Sequence, residues 1–378
     1  MKKVELIATS TFGLEAVVKR EVQSLGYKEI SVENGRVNFT ADIKAIPKAN
    51  LWLRTADRVL LKVGEFKAKS FEELFENTKS LPWEDWITED AEFTVIGKSI
   101  NSKLFSVPDC QAIVKKAVVE KLKTVYNIDW FEETGPRYTI QIALLKNIAT
   151  LTIDTSGEGL HKRGYRETAL EAPLKETLAS AMIQLSYWNK DRVLVDPFCG
   201  AGTIPIEAAM IGKNIAPGLQ RSFASQDWPQ IGEKLWKEER ANALRAIKQD
   251  VKLKIQASDI DENAIEIAKN NASIAGVDDC IDFKVMDVGK LELKEEYGVI
   301  ICNPPYGERL SETKEVIQLY GIIGKKFNKL NTWSNYILTS FENFEKYYNK
   351  WADRKRKLYN GRLKVEYYQY FGPRPPRD

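Results

Sequence analysis

The feature that most constrains the fold is a short apolar run that ends in two consecutive prolines. Residues 297–302 read Tyr-Gly-Val-Ile-Ile-Cys, and Asn303, Pro304, Pro305 and Tyr306 follow directly. A short apolar run rich in β-branched residues is typical of a buried parallel strand, and two prolines prevent both helical and ladder hydrogen bonds. The chain must therefore leave this strand in a stiff turn at the carboxyl edge of a sheet, where open α/β sheets bind their ligands.

The residues of this turn suit an exocyclic amine on a nucleobase. The amide of Asn303 and the proline carbonyl that follows it provide two acceptors, and the ring of Tyr306 provides a surface on which an extruded base can stack. Two acceptors that hold the amine hydrogens also stabilise the positive charge that develops when the nitrogen attacks a methyl group. The sequence thus predicts a catalytic turn formed by Asn303, Pro304, Pro305 and Tyr306.

The composition argues against several other kinds of site. Among 378 residues there is one histidine, His161, and the four cysteines are far apart, which disfavours a zinc site, a disulfide framework and a histidine-based triad. The formal net charge is only +3, so a nucleic-acid surface has to come from local clusters of basic residues. No segment is typical of a membrane span or a cleaved leader, and we expect a cytoplasmic protein with no metal and no membrane partner.

The first 160 residues predict two small α+β modules. Residues 1–66 alternate in the order βαββαβ, with Asn34-Gly35 as a hairpin turn, which predicts a ferredoxin-like module. The module at 67–160 contains a polar loop before a lysine-bearing helix. Lys98 and Lys103 lie at this loop and are candidate phosphate contacts, although exposed lysines are more often ordinary solvated surface.

The carboxyl-terminal half alternates strands and helices and then ends in a hairpin. Strands that alternate with helices predict a parallel sheet, and the strand pair around Asn360-Gly361 predicts an antiparallel closing hairpin. The predicted strands are 192–196, 252–257, 282–286, 297–302, 335–339, 355–359 and 362–370, and the predicted helices are 172–185, 204–210, 263–272 and 313–330.

Polar side chains follow four successive strands of this predicted sheet, namely Asp196, Asp259, Asp287 and Asn303. The turn after Asp196 contains Gly200 and Gly202, which allow a ligand to approach the backbone at the start of a helix. The same order of elements describes a dinucleotide site. However, the dinucleotide fingerprint requires a third glycine where the chain has Pro205.

A glycine-rich segment, Asp154 to Arg166, separates the two halves. Three glycines within eight residues indicate a loop or a domain boundary. Basic residues and a tyrosine alternate after them, and this pattern supplies phosphate contacts beside a stacking ring. The candidate RNA-binding residues of this segment are Lys162, Arg163, Tyr165 and Arg166.

Together these motifs resemble the RlmL-type ribosomal RNA guanine-N2 methyltransferases that contain a THUMP domain, in the form with a single methyltransferase domain. The resemblance covers nearly the whole chain and rests on residues 154–166, 196–203, 216–223 and 303–306. It implies an α/β fold in which a Rossmann-like class I methyltransferase domain has a seven-stranded sheet with a closing antiparallel hairpin. The expected boundaries are a ferredoxin-like module at 1–66, a THUMP RNA-binding domain at 67–160, a linker at 161–172 and the methyltransferase domain at 173–378.

The resemblance also implies S-adenosylmethionine as methyl donor and S-adenosylhomocysteine as product. On this interpretation Asp259 accepts hydrogen bonds from the ribose, Asp287 accepts from the adenine amine, and Asp196 positions the methionine end. The candidate donor-binding residues are Thr177, Asp196, Phe198, Cys199, Gly200, Gly202, Thr203, Asp259, Ile260 and Asp287.

The expected activity is N2-methylation of a guanosine in 23S ribosomal RNA. Both the ribosomal target and the guanine preference come from the resemblance, because the Asn-Pro-Pro-Tyr turn suits adenine N6 equally well. The alternatives are a transfer-RNA guanine-N2 methyltransferase, an adenine-N6 nucleic-acid methyltransferase and a non-catalytic RNA-binding assembly factor. A nicotinamide oxidoreductase is disfavoured by Pro205 and by the closing hairpin.

Overall fold

The computed structural model of the chain describes residues 3–166, 174–307 and 313–376. The chain forms two compact units. Unit 1 comprises Met1–Ser10, Lys19–Leu160 and Ser222–Asn242, and unit 2 comprises Thr11–Val18, His161–Arg221 and Ala243–Asp378. Residues 222–242 were expected within the carboxyl-terminal domain, yet they group with unit 1. Residues 167–172 of the expected linker, and Pro173 at the expected helix start, lie outside the described residues.

The amino-terminal part of the chain forms one seven-stranded sheet in the order β2-β3-β1-β4-β7-β6-β5. Its first four strands have the antiparallel arrangement of a ferredoxin-like module, which confirms that prediction. In chain order the elements are β1 (Lys3–Thr9), α1 (Glu15–Ser24), β2 (Ile30–Glu33), β3 (Arg36–Asp42), α2 (Ala45–Trp52), β4 (Arg58–Lys67), α3 (Phe71–Lys79), β5 (Glu92–Ile100), α4 (Val107–Tyr126), β6 (Arg137–Leu145) and β7 (Ile148–Asp154).

Local sequence explains where these elements begin and end. The Ser70 side chain accepts a hydrogen bond from Glu73 N and caps α3, while Pro108 lies in the first turn of α4, where a missing N–H is harmless. Lys146 and Asn147 both adopt positive φ and connect β6 to β7. The two predicted modules share one sheet because β4 pairs antiparallel with β7, a long-range pairing that no local pattern in the sequence indicates.

The carboxyl-terminal part forms a second seven-stranded sheet in the order β10-β9-β8-β11-β12-β14-β13. Strands β8 to β12 are parallel and the last two are antiparallel, which confirms the methyltransferase-type sheet with its closing hairpin. In chain order the elements are α5 (Glu176–Gln184), β8 (Leu194–Asp196), α6 (Thr203–Gly212), α7 (Glu233–Arg245), β9 (Ile255–Asp259), α8 (Glu262–Ile274), β10 (Ile281–Val285), β11 (Val299–Cys302), α9 (Thr313–Phe327), β12 (Ser334–Thr339), α10 (Phe344–Tyr348), β13 (Arg354–Asn360) and β14 (Leu363–Tyr370).

The central strand of this second sheet is buried on both faces. Val299 and Ile301 of β11 pack in one hydrophobic cluster with side chains of α5, α6 and α8. Ile300 and Cys302 pack in the other cluster with Tyr320 of α9. Burial on both faces explains why the strand is continuously apolar, and it leaves the carboxyl edge as the place where polar side chains meet solvent.

Three further features of the described residues concern membranes, metals and cysteines. None of the helices within residues 3–166, 174–307 and 313–376 is long and apolar enough to cross a membrane. The same ranges contain no group of three or more histidine, cysteine or acidic side chains arranged to hold a metal ion. All four cysteines are buried and form no disulfide.

Candidate active site

A cavity of about 790 Å³ lies at the carboxyl edge of the second sheet, in unit 2. This volume is within the range of about 300–1,000 Å³ that is usual for sites of small molecules. The strand ends bring most of the predicted site residues together in its wall. These are Asp196, Phe198, Cys199, Gly200, Thr203, Asp259, Ile260, Asp287, Asn303, Pro304, Pro305 and Tyr306.

Asp196, the last residue of β8, is 1% exposed. Its Oδ1 accepts a hydrogen bond from Phe198 N at 3.2 Å, and its Oδ2 is buried with no hydrogen-bond partner in the described part of the chain. Burial raises the pKa of this carboxyl well above its ordinary value. A buried acceptor without a partner is costly, by about 1–3 kcal/mol, so the wall of the cavity offers Oδ2 to a cationic or N–H-bearing ligand.

Asp259, at the end of β9, is held by two backbone amides. Gly200 N donates to its Oδ2 at 2.9 Å and Asp261 N donates to its Oδ1 at 3.1 Å. Gly200 has a φ of 49°, a left-handed conformation that favours glycine. Each carboxylate oxygen keeps a further lone pair for ligand hydroxyls. Ile260 follows, and its side chain is 70% exposed on the cavity wall, a flat apolar surface beside a fixed carboxylate.

Asp287 lies beyond the end of β10 and is exposed. Its Oδ1 accepts a hydrogen bond from Gly289 N at 2.6 Å and caps a short 3-10 helix. Met286 and Val288 flank it and also line the cavity, and the sequence reasoning missed both. The strand end thus combines one carboxylate with two apolar side chains, a combination suited to the edge and face of a heteroaromatic ring.

The turn after β11 is held by two tyrosines. Tyr306 Oη donates to Asn303 Oδ1. The buried Tyr320 of α9 donates to the Pro305 carbonyl at 2.8 Å. Within the described residues no group donates to the Pro304 carbonyl. The turn therefore presents the Asn303 amide oxygen, which has a second lone pair, and an unoccupied carbonyl at one edge of the cavity.

Two of the predicted donor-binding residues do not line the cavity. Gly202 has a φ of 82°, and a Cβ there would lie 3.1 Å from Ala268 Cβ, so its lack of a side chain makes room for α8 and not for the donor. Thr177 is buried within α5. In the structure both residues have packing roles, and their contact with the donor stays a prediction.

The expectation that Arg163 and Tyr165 contact RNA is wrong. They are 2% and 1% exposed, respectively, and both bind the buried carboxylate of Glu207 on α6. Arg163 donates from Nε at 3.2 Å and from Nη2 at 3.3 Å, Tyr165 Oη donates at 3.2 Å, and the Ser180 hydroxyl completes the cluster. Burial by itself lowers the pKa of Arg163, but the charge of Glu207 outweighs it and the pKa is raised.

Arg166 is also more enclosed than expected. Its Nη2 donates to Thr203 Oγ1 at 2.6 Å and to the Leu174 carbonyl at 3.2 Å, and it forms an ion pair with Glu176 at 3.2 Å. Because Thr203 begins α6 and lines the cavity, Arg166 supports the cavity wall. The remaining predicted RNA contacts, Lys98, Lys103 and Lys162, are exposed.

Four further residues of the cavity wall were not predicted from the sequence. They are Leu174, Leu319, Asn360 and Leu363. For Asn360 a signal was present, since Asn-Gly marks the turn of the closing hairpin, but the turn was interpreted only as a connection.

The comparisons with known proteins cover the whole chain. The profile of the RMKL-like methyltransferase domain matches residues 163–369, that of the RlmL ferredoxin-like domain matches residues 5–60, and that of the THUMP domain matches residues 68–154. A protein of Bacillus subtilis (strain 168) named "Putative RNA methyltransferase YpsC" is 55% identical over 380 residues, which span 100% of this chain and 98% of that protein.

Solved structures agree with this result over the same length. A structure from Listeria monocytogenes named "predicted N6-adenine-specific DNA methylase" is 51% identical, with a TM-score of 0.95 over 99% of this chain and 97% of that one. The structure of SMU.472, described as a putative methyltransferase complexed with SAH, is 46% identical, with a TM-score of 0.94 over 100% of both chains.

Proposed function

The chain belongs to the RMKL-like methyltransferase family, with the ferredoxin-like and THUMP domains of the RlmL type, and we propose that it methylates N2 of a guanosine in 23S ribosomal RNA. S-adenosylmethionine is the methyl donor of this family. One observation carries the amine-methylation part of the proposal: a single cavity contains both the unpaired buried carboxylate of Asp196 and the two carbonyl acceptors of Asn303 and Pro304. The choice of guanine and of 23S RNA is supported by the similarity to the RlmL-type domains. We propose that this activity takes place in the cytoplasm.

The residues along β8, β9 and β10 fit the chemistry of the donor. S-adenosylmethionine supplies an electrophilic methyl group on a sulfonium, and it also carries an ammonium group, ribose hydroxyls and an adenine ring. The unpaired Oδ2 of Asp196 accepts from the ammonium group, and Asp259 accepts from the ribose hydroxyls. Ile260 packs against the adenine ring, and Asp287 accepts from its amine.

The turn at Asn303 acts on the acceptor amine. The Asn303 amide oxygen and the Pro304 carbonyl accept from the two N–H groups of guanine N2, and the ring of Tyr306 stacks on the base. The nitrogen lone pair forms the new N–C bond while the C–S bond breaks and its electrons go to sulfur. The cationic nitrogen then transfers one proton to solvent water. Both carbonyl dipoles stabilise the positive charge on nitrogen, and the hydrogen bond from Tyr320 to Pro305 keeps the turn in place.

RNA binding is assigned to exposed basic and aromatic side chains, most of which lie in unit 1. The loop after β5 is held by two hydrogen bonds, Lys103 N to Asn147 Oδ1 at 2.7 Å and Asn147 N to Ser102 Oγ at 3.0 Å. It presents Lys103 and the ring of Phe105, which is 83% exposed, near the exposed Lys98 of β5. Lysines beside an exposed ring suit phosphates beside an unstacked base, whose stacking contributes about 1–3 kcal/mol. Lys162 is a candidate contact in unit 2.

The first test removes the amide of the catalytic turn. The Asn303→Ala enzyme is expected to transfer methyl groups about a hundredfold to a thousandfold more slowly, which is the usual effect of removing one preorganised polar group. Donor affinity in calorimetry stays unchanged. Asn331→Ala removes an exposed asparagine that does not line the cavity and serves as the control. A wild-type rate for Asn303→Ala would refute the assignment.

The second test identifies the product. Nucleosides from separated 23S ribosomal RNA and transfer RNA of a gene-deletion strain are compared with those of the parent by mass spectrometry, and loss of one N2-methylguanosine from 23S RNA is expected. Loss from transfer RNA would favour the transfer-RNA alternative. Loss of N6-methyladenosine, or methyl incorporation into duplex DNA, would favour the adenine activity after which the Listeria structure is named. Absence of donor binding would favour a non-catalytic assembly factor.

A further inference from the structure

The closing hairpin of the second sheet reaches the active-site cavity. Strand β14 runs antiparallel to β12, and β13 runs antiparallel to β14. Strand β13 therefore has the same direction as the parallel strands, and its last residue, Asn360, lies at the edge where Asp196, Asp259 and Asn303 are located. Asn360 and its cross-strand partner Leu363 both line the cavity.

Strand order assigns this hairpin to the acceptor side of the cavity. The donor-binding carboxylates follow β8, β9 and β10, which all lie on one side of β11. The other side of β11 is occupied by β12, β14 and β13. Asn303 follows β11 itself, at the boundary between the two sides. On the proposed function the amine of the base is held at Asn303 and the methyl donor lies over β8 to β10. The ring of the base therefore extends toward the end of the hairpin.

The amide of Asn360 is oriented by the protein and still has hydrogen-bonding capacity. Lys175 N donates to its Oδ1 at 3.3 Å, which sets the direction of the amide plane. Oδ1 keeps a second lone pair. Within residues 3–166, 174–307 and 313–376 no group accepts a hydrogen bond from Nδ2. The hairpin end thus presents one acceptor and one donor side by side, with the apolar Leu363 as its neighbour.

We propose that Asn360 recognises the acceptor base as guanine, an inference that rests on the guanine-N2 reaction proposed above. On the Watson–Crick edge of guanine the N1–H donor lies next to the reacting N2 amine, and the O6 acceptor lies beyond N1–H. The Asn360 amide matches both groups, because Oδ1 accepts from N1–H while Nδ2 donates to O6. Adenine held by its N6 amine has only the acceptor N1 at the neighbouring position, so one of the two hydrogen bonds is lost. Asn360 is therefore a specificity-determining residue.

The test measures methyl transfer to unmethylated 23S ribosomal RNA from a gene-deletion strain. One bidentate contact to a base discriminates by roughly ten- to a hundredfold, so kcat/KM for the RNA is expected to fall by about that factor in Asn360→Ala. Asn360→Asp retains the acceptor for N1–H but loses the donor to O6, and a loss of similar size is expected. Both variants keep wild-type donor affinity in calorimetry and the wild-type Tm. Asn331→Ala, an exposed asparagine outside the cavity, is the matched control.

The outcomes separate this inference from the proposed function. If the wild-type enzyme makes N2-methylguanosine and Asn360→Ala keeps its kcat/KM, the role of Asn360 is overturned and the proposed function stands. If both variants lose donor affinity in proportion to activity, Asn360 belongs to the donor side and the inference is again overturned. If the wild-type product is methyladenosine, the proposed function itself fails, and recognition of guanine by Asn360 fails with it.

Discussion

Two of the buried carboxylates of unit 2, Glu207 and Asp196, have opposite surroundings. Glu207, which is 0% exposed, is hydrogen-bonded at both oxygens by Arg163, Tyr165 and Ser180. Asp196 is equally buried, yet its Oδ2 has no partner in the described part of the chain. Glu207 lies on α6, whose first residue Thr203 lines the same cavity as Asp196. The protein thus supplies all the hydrogen-bond partners of the Glu207 carboxylate, whereas it leaves one oxygen of the Asp196 carboxylate without a partner.

This difference indicates that the Glu207 carboxylate stabilises the fold and that the Asp196 carboxylate binds a ligand. A buried carboxylate whose partners all come from the protein contributes to the fold, and the removal of one partner leaves an uncompensated charge. A buried carboxylate with an unused oxygen destabilises the free protein and is useful only when a ligand supplies the missing donor. We therefore expect substitutions at Glu207 and its partners to change stability, and substitutions at Asp196 to change donor affinity.

The largest effect on ligand affinity is expected for Asp196→Asn. The amide keeps the hydrogen bond from Phe198 N but replaces the unpaired oxygen with an N–H group, so a cationic ligand loses its partner and meets a donor. Removing one partner of a buried charge pair weakens the binding free energy by about 2–5 kcal/mol. Calorimetry should therefore show a loss of donor affinity of roughly 30-fold or more. The free energy of unfolding of the ligand-free enzyme is expected to stay equal or to rise.

The control for this substitution is Asp250→Asn, which removes the charge of an exposed aspartate that does not line the cavity. If Asp196→Asn binds the donor normally, or if it strongly destabilises the ligand-free enzyme, the distinction between the two carboxylates is lost.

The next effect concerns Arg163→Met, which keeps the length of the side chain but removes its charge. Glu207 then remains buried without its cation, and the free energy of unfolding should fall by about 3–5 kcal/mol in denaturant titrations. The matched control is Lys162→Met, an exposed neighbour for which a change within about 0.5 kcal/mol is expected. An RNA contact would behave differently, because Arg163→Met would then reduce RNA affinity and leave stability unchanged.

A smaller effect is expected for Tyr165→Phe. The ring stays in the core, while Glu207 loses one of its three hydroxyl or guanidinium partners. A hydrogen bond to a charged group contributes about 1.5–3 kcal/mol, so the loss of stability should be smaller than that of Arg163→Met. Denaturant unfolding measures it. Equal stability of Tyr165→Phe and the wild-type protein would show that the Glu207 cluster does not depend on this hydroxyl.

The sequence predicted most of the fold because local periodicity determines its elements. The continuous apolar run at β11, the Asn34-Gly35 hairpin and the βα alternation all appear in the structure as expected. The pairing of β4 with β7, which joins the two amino-terminal modules, was missed because it links strands that lie about 90 residues apart in the sequence and no local pattern encodes it.

The site residues were likewise predictable where a local pattern determines their position, and not where a long-range contact determines it. Residues at strand ends were found because parallel strands bring their carboxyl ends to one edge, and Asp196, Asp259, Asp287 and Asn303 all line the cavity. Arg163 and Tyr165 were misassigned because a basic and aromatic segment has the same sequence whether it binds phosphate or a carboxylate on a distant helix. The deciding partner, Glu207, lies 44 residues further along the chain.

The smallest effect concerns His161, a partly buried group near the charges of the Glu207 cluster. Burial, together with Lys175, Arg163, Lys162 and Arg221, lowers the pKa of His161 to about 4. The unfolded chain, with an ordinary pKa of about 6.5, therefore binds a proton that the folded chain does not bind between these two values. Stability from this group is present above the unfolded pKa and is lost as the pH falls from about 6.5 toward 4.

Denaturant unfolding of the wild-type protein and of His161→Gln at several pH values between 7.5 and 4.5 isolates this contribution. Buried carboxyls with raised pKa, such as Asp196 and Glu176, change stability in the opposite direction, but they are common to both proteins and cancel in the difference. The wild-type protein should lose more stability than His161→Gln over this window. Parallel pH profiles would mean that His161 titrates normally in the folded chain and that the cations around it are screened by solvent.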